Sequence, residues 1–116
     1  MTEISHVDVE SIEWSVSPPK PGMPSDNPGV RSRLIFDLPD DEVTAMLCEY
    51  EPGHWEPEHA HRRNEVLVVL DGSAAAAGVE LKKGSAIFVP AGTGYGPLTG
   101  GPRGMRFVRF EFPERA

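Results

Sequence analysis

The sequence predicts a single all-β domain, a sandwich or barrel of short strands, on three observations. Glycine and proline are spread along the whole chain, 12 of each in 116 residues, which suits many strands joined by tight turns. Apolar residues come in short runs bounded by Gly, Pro, Asp or Asn, and no stretch keeps a helical period beyond a turn or two. The length supports one hydrophobic core and not two, so residues 1–116 are read as one domain.

The elements follow in order. Ile4 to Val16 mixes apolar and acidic positions, and Ser11 to Val16 alternates as an edge strand does. Ser17 to Gly29 carries five prolines and two glycines, too many for a ladder strand. It reads first as a passive connection and second as a loop closing over a pocket mouth. Val30 to Leu38 is a strand ending at the turn Pro39-Asp40-Asp41, and Val43 to Tyr50 is its return, ending at Pro52-Gly53. His54 to His61 continues extended despite Pro57, Arg62 to Asn64 turns, and Glu65 to Leu70 pairs back. Asp71-Gly72 is a tight-turn dipeptide of the hairpin kind. Ser73 to Ala77 and Val79 to Lys82 make a short hairpin about Gly78, with one helical turn as the other reading of the alanines. Gly84 opens a strand over Ser85 to Pro90, Gly96 to Gly104 reads as a loop, and Met105 to Phe112 closes the domain. The count is eight to nine strands.

Charge excludes some functions. A net charge of −7 and a pI near 5.0 provide no basic stripe for a phosphate backbone, so nucleic acid is not an expected partner. No apolar run approaches the roughly 20 residues of a membrane span, and the start is polar and acidic rather than a leader, so a soluble cytoplasmic protein is the default expectation. Cys48 is the only cysteine. No internal disulfide is available to it, and its apolar neighbours mark it as core packing.

Three of the four histidines, His54, His59 and His61, fall in one short stretch. Neutral imidazole and carboxylate are ligands that divalent transition metals accept, and His59, His61 and Glu65 offer three such groups. Residues two apart on an extended strand share a face, so His59 and His61 can hold one ion together. Glu65 has the same parity, but the turn before it prevents parity alone from placing it. His54 has the other parity and reads as a surface or rim residue. Trp55 and Pro57 share the parity of His59, which makes Trp55 a candidate pocket wall, while Glu56 and Glu58 are expected to face away from the ion. In the following strand both Val66, Val68, Leu70 and Glu65, Leu67, Val69 are largely apolar sets. One lines the interior; the other calls for a second sheet or a second subunit, so a homodimer is expected. Around Arg109 the aromatic residues change parity at Val108, which leaves its direction open. An inward Arg109 would favour an anionic substrate.

These residues resemble the cupin family. Its first motif, G-x5-H-x-H-x3-E-x6-G, is met at every fixed position and spacing by Gly53, His59, His61, Glu65 and Gly72, within 53–72. Its second, G-x5-P-x-G-x2-H-x3-N, is met within 84–99 by Gly84, Pro90 and Gly92. Tyr95 then stands where the family usually supplies a fourth metal ligand, a histidine, and Thr99 where it has asparagine. The resemblance implies a jelly-roll β-barrel with one divalent transition metal ion at its mouth, held by His59, His61 and Glu65. The short segment between Gly72 and Gly84 implies a cut-down hairpin at that end.

Two imidazoles and one carboxylate leave open positions for water, substrate or oxygen. Fe(II) or Mn(II) is the first expectation, with Ni, Co or Zn compatible. Tyr95 reads as a phenolate ligand, an acid or base, a neutral phenol orienting a bound oxygen, or a plain pocket wall. Glu65 and Tyr95 are the candidates for proton transfer. The expected function is metal-dependent action on a small organic substrate, as a dioxygenase or as a Lewis-acid isomerase, cyclase or lyase. A non-catalytic barrel that senses or stores a small ligand or metal is the alternative.

Overall fold

The computed structural model describes residues 4–17, 23, 29–39 and 42–114. Alternation and turn chemistry give eight strands: β1 (Ser15–Ser17), β2 (Val30–Leu38), β3 (Val43–Tyr50), β4 (Trp55–Glu56), β5 (Asn64–Ala76), β6 (Val79–Lys82), β7 (Ala86–Val89) and β8 (Leu98–Phe112). The only helical element among the described residues is a single 3-10 turn, Val9–Ser11, capped by the Asp8 side chain. All pairings are antiparallel, in the order β1-β2-β3-β8-β5-β6, with β4 added to β8 and β7 to β5. The all-β expectation holds, and the alanine run is strand rather than helix.

Three local expectations differ. Asp71-Gly72 does not end a strand: β5 runs through it, with register shifts against β8 on either side. A bulge absorbs an extra residue and bends the strand. Gly72 takes φ 74°, and a Cβ there would run into the carbonyl of Gly104, so backbone crowding and not a hairpin explains this glycine. The stretch 98–104, expected as loop from its glycines and prolines, is the start of β8; there β8 pairs with both β4 and the end of β5. The extended run from His54 to His61 is ladder-paired only at Trp55 and Glu56, plus one bridge from His59 to Tyr95. Of the proline-rich segment, Ser17, Met23 and Gly29 are described and border the main cavity; the rest of that expectation lies outside the described residues.

The core forms where the inward faces of β3, β5 and β8 meet, around Cys48, Leu67, Val69, Leu81, Leu98 and Phe107, all nearly or fully buried. Each large apolar side chain removed from water there contributes about 1.5–3 kcal/mol. The thiol of Cys48 is pushed up to about 11 by burial, as expected of a packing residue and not a nucleophile. This core fills the interior on one side of Glu65, and the side carrying His59, His61 and Tyr95 opens into a cavity.

Candidate functional site

Sheet register assembles the site. Directly paired residues of an antiparallel ladder point to the same face. Glu65 faces Glu111 and Leu67 faces Arg109 across β5 and β8; on the other flank Met46 faces Arg109 and Cys48 faces Phe107 across β3. Glu65, Leu67 and Val69 are therefore the inward set of β5 and are buried, whereas Val66 and Val68 are partly exposed and Leu70 is exposed. Arg109 is inward as well and lines a cavity of about 400 Å³, together with Val30, Tyr50, His54, His59 and Tyr95 among others.

The two motif segments are held to each other by backbone. The amide of His59 donates to the Tyr95 carbonyl at 3.0 Å, the amide of Tyr95 donates back at 2.9 Å, and the amide of Gly92 donates to the His61 carbonyl at 2.8 Å. This brings the rings of His59 and His61 to 4.7 Å edge to face, with the Tyr95 ring 5.0 Å from that of His59. Glu65, which parity left unplaced, arrives beside them: its Oε2 is 3.5 Å from Nε2 of His61.

Protonation follows from the neighbours. Nδ1 of His59 lies 3.0 Å from the Pro57 carbonyl, which only accepts, so Nδ1 carries a hydrogen. Burial, with the positive fields of His59 and Arg109, holds His61 below the usual imidazole range, so it is neutral. Burial pushes the carboxyl of Glu65 up. The Tyr95 hydroxyl donates to Oε1 of Glu65 at 3.4 Å, and burial and the carboxylates of Glu65 and Glu56 drive its pKa up, so it is a neutral phenol.

These side chains offer the right donors for a metal, and one pair offers the right spacing. Nε2 of His61 and Oε2 of Glu65 are buried with no hydrogen-bond partner, their 3.5 Å contact lacking hydrogen-bond geometry. Two donors bound at about 2.0–2.2 Å to one tetrahedral ion stand roughly 3.5 Å apart. An ion between them would satisfy both orphaned atoms. Nε2 of His59 instead lies 3.7 Å from Oε2 of Glu56. No group of three or more His, Cys, Asp or Glu among the described residues forms a complete metal-holding set. His61 and Glu65 have the spacing for one ion as they stand, whereas the His59 ring is engaged by Glu56 and the Pro57 carbonyl.

Three expectations about the neighbouring residues are corrected. His54 is not a rim residue but fully buried, stacked on Tyr50 with ring centroids 4.5 Å apart, and its Nε2 is 2.8 Å from Oε1 of Glu56. Glu56 does not face away; it is buried and borders the cavity. The cause is a break in alternation. β4 is only two residues long and pairs Glu56 with Leu98, so its even position is inward; Pro57 then interrupts the strand before His59. Trp55, on the opposite face of β4, is half-buried and is not among the cavity-lining residues, while Glu58 is exposed as expected. Burial opposes ionisation of Glu56, but the hydrogen bond with His54 and the charges of His54 and His59 outweigh it and hold the carboxyl below its usual range. The sequence signal for this pair was the i, i+2 spacing of a histidine and a carboxylate beside the motif.

Comparison with known proteins places the fold. The cupin-domain family profile matches residues 46–108. No curated protein matches the chain. The polyketide cyclase RemF from Streptomyces resistomycificus is similar at 25% identity and TM-score 0.74, over 97% of this chain and 82% of that one. An RmlC-like cupin from Shewanella frigidimarina NCIMB 400 is similar at 22% identity and TM-score 0.69, over 99% of this chain and 96% of its own. A putative acetylacetone dioxygenase from Methylibium petroleiphilum PM1 shares the fold at 13% identity and TM-score 0.74, over 97% and 78% of the two chains.

Proposed function

The chain belongs to the cupin family, and on that premise we propose that it is a metal-dependent enzyme acting on a small organic substrate within the cavity bordered by His59, His61, Tyr95 and Arg109. The observation that carries this reading is the orphaned pair His61 Nε2 and Glu65 Oε2, two buried ligand atoms without partners. Buried polar atoms cost about 1–3 kcal/mol each when unsatisfied, and a chain keeps such a debit where a ligand removes it.

In this reading His59, His61 and Glu65 hold one divalent ion, with Fe(II) or Mn(II) expected first and Ni, Co or Zn compatible. When bound, the ion supplies Lewis acidity that stabilises negative charge developing on a substrate oxygen. The chain's own groups do the rest. The neutral Tyr95 phenol, hydrogen-bonded to Glu65, can turn its proton toward a substrate oxygen or return it to the carboxylate. The buried Glu56–His54 pair fixes a negative charge beside His59 and steadies the wall around it. The cavity holds a ligand of a few rings at most. The neighbours named above include both a polyketide cyclase and a putative acetylacetone dioxygenase, so the likeness is in keeping with Lewis-acid chemistry and with oxygen chemistry alike.

The homodimer belongs to the same proposal. Leu70, Phe88 and Phe110 are exposed large apolar side chains on the outward sets of β5, β7 and β8, and Phe88 stacks with Phe112 at 6.3 Å. A contiguous apolar patch of this kind marks a contact surface, and sedimentation is its test. No helix among the described residues is long and apolar enough to cross a membrane.

The function is tested by elemental analysis of untagged protein beside the His59→Ala/His61→Ala double variant. Near-stoichiometric metal, lost in the variant while the far-ultraviolet spectrum is kept, is the expected result. Activity retained with Zn and without oxygen sustains Lewis-acid chemistry; oxygen consumption with bound iron replaces it with an oxygenase. No metal after reconstitution leaves a ligand-binding barrel.

A further inference from the structure

Arg109 is the most under-employed charge in the cavity. A guanidinium carries five N–H donors in a rigid fork and stays protonated throughout the accessible pH range. The contacts of Arg109 are few: NH2 reaches only the thioether of Met46 at 3.9 Å, and Nε lies 3.4 Å from Oε1 of Glu111 without hydrogen-bond geometry, so that Nε is buried and unpartnered. Glu111 balances its charge but does not occupy its donors. Arg106, by contrast, sends both Nε and NH2 to Glu49 at 2.7 and 2.5 Å, and the unpartnered Nε atoms of Arg31 and Arg33 belong to guanidinium groups lying over the Trp14 ring, whereas Arg109 borders the cavity.

Register fixes its distance from the proposed chemistry. Glu65 pairs with Glu111, and Arg109 is two residues along the same face of β8, the diagonal neighbour of Glu65. Diagonal positions on one sheet face are roughly 7–8 Å apart at the backbone, within reach of a long side chain. A small molecule whose reacting end lies at His59, His61 and Glu65 therefore spans to Arg109 in one ring or a short chain. Val30, Tyr50 and Met23 border the same cavity and supply apolar contact for the body of that molecule.

We propose that Arg109 is a substrate-recognition residue and that the substrate is a small organic anion, an apolar body bearing a carboxylate or an equally planar, delocalised oxyanion. A planar fork matches a planar pair of oxygens with two parallel hydrogen bonds, which is why arginine rather than lysine is expected at such a site. The proposal rests on the cavity being the functional site assigned above. It does not require the metal for binding, because the fork belongs to the chain.

The test uses carboxylate and carboxamide pairs of matched shape, benzoate with benzamide and phenylacetate with phenylacetamide. Their binding is measured by ligand-observed NMR on the wild type, both after metal removal and after reloading with Mn(II)-free Zn. The expected result is a carboxylate preference that persists in the metal-free protein, at least tenfold over the carboxamide. It falls to parity in Arg109→Met and is only partly kept in Arg109→Lys. Should Arg109→Met fold poorly with Glu111 uncompensated, Arg109→Met/Glu111→Gln removes both charges and gives the same reading. No preference in the wild type, or a preference unchanged in these variants, overturns the assignment. A preference seen only after zinc is restored also overturns it, because the anion is then a metal ligand; loss of metal binding with the preference intact contradicts the metal reading alone.

Discussion

The two faces of the sheet formed by β2, β3 and β8 both carry charged clusters, and they treat those charges in opposite ways. On the outer face Arg31, Glu49 and Arg106 stand in one cross-strand row, and Glu49 is bonded by both arginines. Arg31 and Arg33 also lie over the Trp14 ring at 4.6 and 4.2 Å, and Arg33 reaches Glu10. On the inner face, His61, Glu65 and Arg109 each keep an unpartnered buried atom, while His54 and Glu56 satisfy one another. The outer Nε atoms of Arg31 and Arg33 are unpartnered too, but they sit against an aromatic ring whose face attracts them. The lesson is that a charged row completed by its own neighbours is architecture, and one left open toward a cavity is prepared for something else.

The largest way to sharpen this contrast is on the inner face. His59→Ala/His61→Ala is expected to reduce bound metal from near one per chain to trace while leaving the metal-free midpoint of thermal unfolding nearly unchanged, read by elemental analysis and calorimetry. Next comes the outer face. Glu49→Ala should cost about 1–2 kcal/mol in urea unfolding, at the lower end for charged hydrogen bonds because water reaches Arg31 and Arg106. Metal content should not change. Loss of metal in that variant would break the separation of the faces.

A smaller effect appears in pH dependence of the metal-free protein, and its sign differs between faces. Burial opposes ionisation of Glu49, but Arg106 and Arg31 outweigh it and hold its pKa down. Its stabilisation is present above the ordinary carboxylate value and is lost as pH falls through the depressed one. The pKa of Glu65 is raised, chiefly by burial. Its protonated form stabilises the fold below the ordinary carboxylate value, and that contribution is lost as pH rises through the raised one. Unfolding midpoints against pH should therefore lose a decline below the ordinary carboxylate value in Glu49→Gln and a decline above it in Glu65→Gln. The smallest effect belongs to Trp14→Leu, about 0.5–1 kcal/mol in total, since leucine keeps part of the apolar contact with the stems of Arg31 and Arg33, with no change at the cavity.

Much of this was readable from the sequence where strands are long. Val30 to Leu38 and Val43 to Tyr50 have the bounds their punctuation predicts. In β5 the period of two correctly separated Glu65, Leu67 and Val69 from the outward set, because eleven ladder partners in β8 enforce the pleat. The proximity of His59, His61 and Glu65 followed from the motif and is realised by β7, the turn after it and the His59–Tyr95 bridge. Alternation failed where pairing is sparse. β4 has two residues, so nothing carries its parity past Pro57, and the inward turn of His54 and Glu56 was hidden. The direction of Arg109 needed the register of β8, which starts seven residues before the run of apolar residues shows it. Gly72 looked like turn chemistry because the constraint on it, the Gly104 backbone, lies far along the chain.

Where a metal sits is the most direct test of the site. Crystals grown with Mn(II), with anomalous diffraction collected on both sides of the manganese absorption edge, give the position without reference to activity. One anomalous peak per chain is expected about 2.0–2.3 Å from Nε2 of His61 and Oε2 of Glu65, with the ring of His59 turned from Glu56 to complete the set. A peak elsewhere, or none at saturating Mn(II), would contradict that site.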